Sequence, residues 1–261
     1  MITIIKLGGN IIDNEIQLNE FLLQLSLLTG KKILVHGGGK LATALSLQLG
    51  ITAEMINGRR VTDAETLKVI TMVYAGWINK SVVAKLQSMQ CNAIGLSGAD
   101  GNLVCSEKRS PVPIDYGFVG DPLEEKINVD LLLMLMNADF IPVIAPVTHD
   151  GNGQLLNTNA DTMAAVVASA ICKKENVQLL YCFEKNGVLA NAEDDKSVLQ
   201  ELTRQQTEQL KEDGKIHSGM LPKLKAGFSA KANGVNRVVI GNALQLQNLA
   251  TENSSCTLLE L

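Results

Sequence analysis

The chain predicts an α/β fold with a largely parallel central sheet covered by helices on both faces. Three observations carry that expectation. Apolar strand-like runs alternate with helical segments almost from end to end. Several of those runs are unbroken Val/Ile/Leu, as strands buried on both faces require. Two early runs end in adjacent glycines ahead of a helical stretch: Ile4-Ile5-Lys6-Leu7-Gly8-Gly9 and Leu34-Val35-His36-Gly37-Gly38-Gly39.

In chain order, strands are expected near 3–7, 32–35, 93–96, 140–145, 178–182 and 237–240. Helices are expected near 18–28, 41–49, 64–90, 129–136, 160–172, 204–212 and 222–232. Residues 106–123, rich in Pro and Gly, predict an ordered loop or hairpin near a site. Residues 191–197, carrying Asp194 and Asp195, predict a solvated turn. There is no repeat of fixed period and no low-complexity tract. A break between two lobes is placed after the helix at 160–172, giving units 1–172 and 173–261.

The composition narrows the classes of function. The chain has 261 residues and is 46% hydrophobic, enough for a large core. A net charge of -4 and 3% aromatic content disfavour nucleic acid, which needs a basic face and stacking platforms. No apolar run reaches the roughly 18 residues of a membrane span, and the start does not resemble a cleavable leader. The five cysteines are scattered, with no C-x-x-C pair, and predict reduced, mostly buried thiols. A cytoplasmic protein acting on small molecules is the expectation.

Four segments point to chemistry. The glycine turns match neither the dinucleotide fingerprint G-x-G-x-x-G nor the P-loop pattern. They still bring bare backbone N–H groups to helix N-termini, where anions are favoured. Tight βα turns alone would also account for them. Lys6 lies inside an apolar strand, either on an exposed edge or at the carboxyl end where ligands of open α/β sheets sit. In Asn157-Thr158-Asn159-Ala160-Asp161, one polar residue suffices to cap the helix that follows, and three exceed what capping requires. In Ser218-Gly219-Met220-Leu221-Pro222-Lys223, Pro222 marks a first helical position, so Lys223 is a cation in a first turn, against the helix dipole. Finally, Asn57-Gly58-Arg59-Arg60-Val61-Thr62 is a tight turn whose arginine is a possible clamp for a carboxylate.

Taken in order, these segments resemble the amino acid kinase superfamily, and within it the N-acetylglutamate kinases. The likeness also takes in Gly95-Leu96-Ser97-Gly98, Asp100-Gly101 and Gly117-Phe118-Val119-Gly120, and so runs nearly the full chain. It implies a three-layer αβα sandwich with a central, mainly parallel sheet. Residues 1–172 would form an N-terminal lobe for the acyl-amino acid and dimerisation, and 173–261 a C-terminal lobe for ATP. It implies ATP with Mg²⁺ carried by the nucleotide, no metal site of the protein's own, and phosphorylation of the side-chain carboxylate of N-acetyl-L-glutamate in arginine biosynthesis.

By the same resemblance, Lys6 and Lys223 stabilise the transferred phosphoryl group and Asp161 holds them. Gly38, Gly39, Arg60, Asn157 and Asn159 bind the substrate; Gly8, Gly9, Gly187, His217 and Gly219 bind phosphate or nucleotide. The segment Leu180-Tyr181-Cys182-Phe183-Glu184-Lys185-Asn186-Gly187 departs from the family's Leu-Thr-Asp-Val-like run. The start, directly at the first strand, implies a homodimer insensitive to arginine. Two alternatives stand beside this reading: a kinase for another N-acyl cap such as N-succinyl-L-glutamate, and a non-catalytic binding protein on the same fold.

Overall fold

The computed structural model describes residues 1–56, 59–191, 193–216, 219–251 and 256–261. In chain order it runs β1 (Ile2–Leu7), α1 (Gly9–Ile12), α2 (Glu15–Leu27), β2 (Lys32–His36), α3 (Gly39–Gln48), β3 (Met55–Ile56), β4 (Arg59–Arg60) and α4 (Ala64–Thr71). A π-helical segment (Met72–Ile78) leads into α5 (Asn79–Ser88), β5 (Ala93–Leu96), β6 (Val104–Lys108), β7 (Gly120–Ile127), α6 (Val129–Asn137) and β8 (Ile141–Ile144). The chain continues through β9 (Val147–His149), β10 (Leu155–Asn157), α7 (Ala160–Cys172), β11 (Val177–Phe183), β12 (Glu201–Thr203), α8 (Arg204–Glu212), α9 (Leu221–Ala232), β13 (Arg237–Asn242), α10 (Leu246–Ala250) and β14 (Thr257–Glu260).

The central sheet has eight strands in the order β12-β14-β13-β11-β1-β2-β8-β5. All its pairings are parallel except β13 with β14. β1 and β11 are buried along their whole length, as continuous apolar runs demand. Alternate residues feed two cores. Ile2, Ile4, Ile33, Val35, Leu179 and Tyr181 face one that takes in α6, α7 and α9. Ile5, Leu7, Leu34, Leu180 and Cys182 face another with α2, α4, α5 and α10. The period of two in the strands thus produces the αβα layers.

All six expected strands lie in this sheet. The two it adds, β12 and β14, are short and close its far edge. The segment expected as a hairpin belongs to the antiparallel pair β6–β7, part of a smaller sheet ordered β10-β9-β6-β7. The single helix expected over 64–90 is α4, the π-helical segment and α5 in succession. Among the described residues no helix is long and apolar enough to cross a membrane. The five cysteines are free, and three of them are buried.

Candidate active site

The carboxyl ends of β1 and β11 bring together three charges from distant parts of the chain. Lys6 stands one residue from the end of β1, in the middle of the sheet rather than at an edge. Asp161 is the second residue of α7, whose N-cap Asn159 accepts a hydrogen bond from the Thr162 N–H. Lys223 is the third residue of α9, beside Pro222. Lys6 Nζ lies 2.8 Å from Asp161 Oδ1, and Lys223 Nζ donates to the same oxygen at 3.0 Å. The three residues are only 7%, 8% and 7% exposed in the order Lys6, Asp161, Lys223.

Burial pushes the Asp161 carboxyl up, but Lys223 and Lys6 more than offset it and hold the group well below the usual carboxylate range. Burial also lowers the Lys6 ammonium, which Asp161 partly restores. Lys223 further sits over the rings of Tyr181 and Phe183, 5.3 and 5.8 Å from their centroids. Tyr181 Oη donates to the Asp161 carbonyl at 3.0 Å, fixing the start of α7 on β11. The cluster therefore carries one net positive charge, already desolvated and set at the carboxyl end of the sheet.

The two glycine turns border this cluster. Gly38 has φ +149°, and a Cβ there would lie 2.2 Å from Ile78 Cδ1, so only glycine fits. Beneath the turn His36 is fully buried, its Nδ1 2.9 Å from the Gly37 carbonyl. Its Nε2 lies 3.1 Å from Asn79 Nδ2, which also donates to the Val143 carbonyl at 2.9 Å. This pattern puts the imidazole hydrogen on Nδ1, donating to Gly37, and leaves Nε2 to accept. Burial pulls the ring's pKa down to about 4, so it is neutral. Asn79 follows directly on the π-helical segment, which also supplies Tyr74 and Ile78 against Gly38.

Two cavities meet at Lys6, Gly9 and Gly39. The larger, about 520 Å³, is lined by Gly8, Asp161, Gly187, Gly219 and Lys223, with walls from Phe183, Val188, Leu189, Ile216 and Met220. Across its mouth Asn10 Nδ2 donates to Glu184 Oε1 at 2.7 Å. The smaller, about 250 Å³, is lined by Gly38, Arg60, Asn157 and Asn159, together with Arg59, Tyr74 and Arg109. Arg60 Nη2 donates to the Gly39 carbonyl at 3.0 Å and to Thr43 Oγ1 at 2.6 Å. Asn157 donates to Thr62 Oγ1 at 3.0 Å.

Every site residue expected from the sequence lines one of these cavities, except His217, which lies outside the described residues. Sequence reasoning missed Tyr74, Arg109, Phe183 and Met220. Nothing local marks Tyr74 or Arg109; they come from a helix interior and from the loop after β6. Among the described residues no group of three His, Cys, Asp or Glu side chains is placed to hold a metal ion.

The amino acid kinase family profile matches residues 1–242. An acetylglutamate kinase of Cytophaga hutchinsonii is 53% identical over 254 residues, covering 97% of this chain and 95% of its own length. One from Phocaeicola vulgatus is 52% identical over 239 residues, covering 92% of each. The crystal structure of smu.665 from Streptococcus mutans UA159 superposes with a TM-score of 0.81 at 27% identity, over 92% of this chain and 94% of that one. With two glycine turns and a Lys6–Asp161–Lys223 cluster gathered at the carboxyl end of its central sheet, the chain belongs to the amino acid kinase family, among its acetylglutamate kinases.

Proposed function

We propose that the chain transfers the γ-phosphoryl group of ATP to the side-chain carboxylate of N-acetyl-L-glutamate, giving an acyl phosphate and ADP in arginine biosynthesis. The observation that carries this is the position of Lys6 and Lys223, joined through Asp161, at the junction of two cavities of different character. ATP occupies the larger, its base against the apolar walls and its phosphates toward Gly8, Gly9 and Lys223. The acyl-amino acid occupies the smaller, its α-carboxylate on Arg60 and its side-chain carboxylate directed at Lys6.

A glutamate side-chain carboxylate, with an ordinary pKa of about 4.3, is ionised at neutral pH, so no general base is needed. Its oxygen attacks the γ-phosphorus as the bond to the β-phosphate oxygen breaks. The obstacle is repulsion between anions. Lys6, Lys223 and the backbone N–H groups of the glycine turns neutralise charge on the equatorial oxygens, where it accumulates in the transition state. Asp161 keeps both ammonium groups in place between turnovers. Mg²⁺, carried on the nucleotide phosphates, supplies further charge neutralisation.

The same reading gives residues 1–172 the acyl-amino acid and residues 173–261 the nucleotide. It includes a homodimer, supported by the exposed apolar side chains of Leu41, Leu47, Met72 and Trp77 on α3 and the π-helical segment; size-exclusion chromatography of the purified chain tests that part. The reaction itself is tested by trapping acyl phosphate with hydroxylamine in the presence of Mg-ATP and N-acyl-L-glutamate. Hydroxamate formation is the expected result. Its absence with every acylated glutamate, while ATP still binds, overturns the assignment.

A further inference from the structure

His36 ends β2 and touches no substrate in the reaction proposed above, yet it is fully buried directly beneath the second glycine turn. A buried imidazole needs partners for both ring nitrogens, and here it has them. Nδ1 lies 2.9 Å from the Gly37 carbonyl, and Nε2 lies 3.1 Å from Asn79 Nδ2. The Val143 carbonyl, which can only accept, takes the other hydrogen of that same amide nitrogen at 2.9 Å. Asn79 therefore presents a donor to Nε2, and the imidazole keeps its own hydrogen on Nδ1.

Asn79 holds this position against a cost. It is 1% exposed, and its buried Oδ1 has no hydrogen-bond partner among the described residues. The amide oxygen rests instead on Gly95 of β5, where a Cβ would overlap it. What keeps the amide there is the pair of bonds made by its nitrogen.

The peptide that His36 holds is one that faces the site. In a planar trans peptide, the carbonyl of one residue and the N–H of the next point in opposite directions. With the Gly37 carbonyl turned onto His36, the Gly38 N–H turns toward the smaller cavity, which Gly38 lines. Gly38 is the N-cap of α3, so its N–H has no acceptor within the helix. The first glycine turn stands opposite: a Cβ built on Gly9 would lie 3.9 Å from the Gly38 and Gly39 nitrogens. Between two glycines this peptide could flip at little steric cost. A flipped peptide would put a carbonyl oxygen where an anion has to sit.

We infer that His36, held in one tautomer by Asn79, is a positioning residue for phosphoryl transfer: it pins the 37–38 peptide so that the Gly38 N–H, and not the Gly37 carbonyl, faces the charge developing beside Lys6. The inference rests on the kinase reading above and adds what fixes one of its backbone donors. Such a donor contributes only if it is already aimed when the charge appears. A freed peptide samples both orientations, so the loss falls on turnover more than on binding.

The test has two arms. Nitrogen-15 NMR of the wild-type chain, which has three histidines, should find His36 protonated at Nδ1, its signal identified by exclusion with His149→Gln and His217→Gln. The Nε2-protonated form overturns the inference. The second arm is the hydroxylamine assay with Mg-ATP and the N-acyl-L-glutamate that the wild-type chain turns over. His36→Leu should lower kcat by about 10- to 100-fold, while KM for either substrate moves far less. His36→Asn, whose amide nitrogen takes the place of Nδ1, should recover much of that loss. Asn79→Ala keeps the imidazole but frees its tautomer, and should lower kcat by a smaller factor. A folded His36→Leu with unchanged kcat overturns the inference, as does a His36→Asn variant no better than His36→Leu. If His36→Leu does not fold, an unchanged kcat in Asn79→Ala overturns it. A wild-type chain that forms no hydroxamate with any acylated glutamate, while ATP binds, overturns the kinase reading and the inference with it, even where the Nδ1 tautomer is found.

Discussion

The two cavities that share Lys6 are built on different principles. The larger has walls of Phe183, Val188, Leu189, Ile216 and Met220 beside the Lys6–Asp161–Lys223 cluster. The smaller is ringed by arginines and amides, with a buried guanidinium nitrogen still unpartnered among the described residues. An apolar slot tolerates many planar ligands at modest cost, whereas unpaired buried donors reject any ligand that cannot complete them. On the proposed reading, the larger cavity supplies affinity for the nucleotide and the smaller supplies selectivity for the amino acid, with the chemistry at the charges between them.

Substitution at the shared cluster should have the largest effect on this division. Lys6→Met or Lys223→Met is expected to lower kcat by about 10²- to 10³-fold, with ATP affinity falling far less. Steady-state kinetics with calorimetric ATP binding checks this, and unchanged kcat in both variants would dissolve the assigned roles. Asp161→Asn should behave differently, because it leaves two buried ammonium groups without a counter-ion. Stability should fall along with turnover.

The next effect separates the cavities by pH. His36 underlies the glycine turn of the smaller cavity, with its pKa pulled from 6.5 to about 4 by burial. The unfolded chain takes up the proton first. The stabilising contribution is therefore complete above pH 6.5 and is lost as pH falls toward 4, to an extent on the order of 3 kcal/mol. Denaturant melts of the wild-type chain and His36→Gln between these values should show the variant with the flatter profile. Parallel profiles would mean that the imidazole titrates normally.

Two smaller effects sharpen the contrast. Arg60→Gln should raise KM for the acyl-amino acid by about tenfold, with little change in KM for ATP. Met220→Ala should do the reverse, raising KM for ATP by about two- to fivefold, the share of one apolar side chain. If Arg60→Gln moves both constants together, the two sites are coupled and the division described above fails.

Legibility in the sequence followed burial and rule-breaking. Six strands of the central sheet stand out as apolar runs, five of them because they are buried on both faces and β5, at the edge, while only partly buried. The short edge strands β12 and β14 have no such signature. The site was legible where residues defy their surroundings: Lys6 in an apolar strand, Asp161 beyond the needs of capping, Lys223 at a helix start. Tyr74 and Arg109 defy nothing locally and reach the cavity only through the fold. Arg59 was visible beside Arg60, but its place on the smaller cavity depends on how β4 meets the loop after β6. The π-helical turn was hidden because a smooth apolar pattern over 64–90 does not register one wider turn.

That turn has a bearing on how the chain can change length. A π-helical stretch accommodates an extra residue within a helix, and here it lies between the Asp63-capped start of α4 and Asn79. If one residue between Met72 and Ile78 were deleted and the turn kept its π-helical winding, α5 would rotate by about 100° relative to α4. The turn would have to rewind as α-helix to keep the register. Without that rewinding Asn79 would swing away from His36 Nε2, and the imidazole would lose the amide that orients it toward the Gly37 carbonyl. Length at 72–78 thus bears on the seat of Asn79 under the smaller cavity, whereas the exposed Asp194–Asp195 turn meets the lining of the larger cavity through the Asp195–Lys185 ion pair.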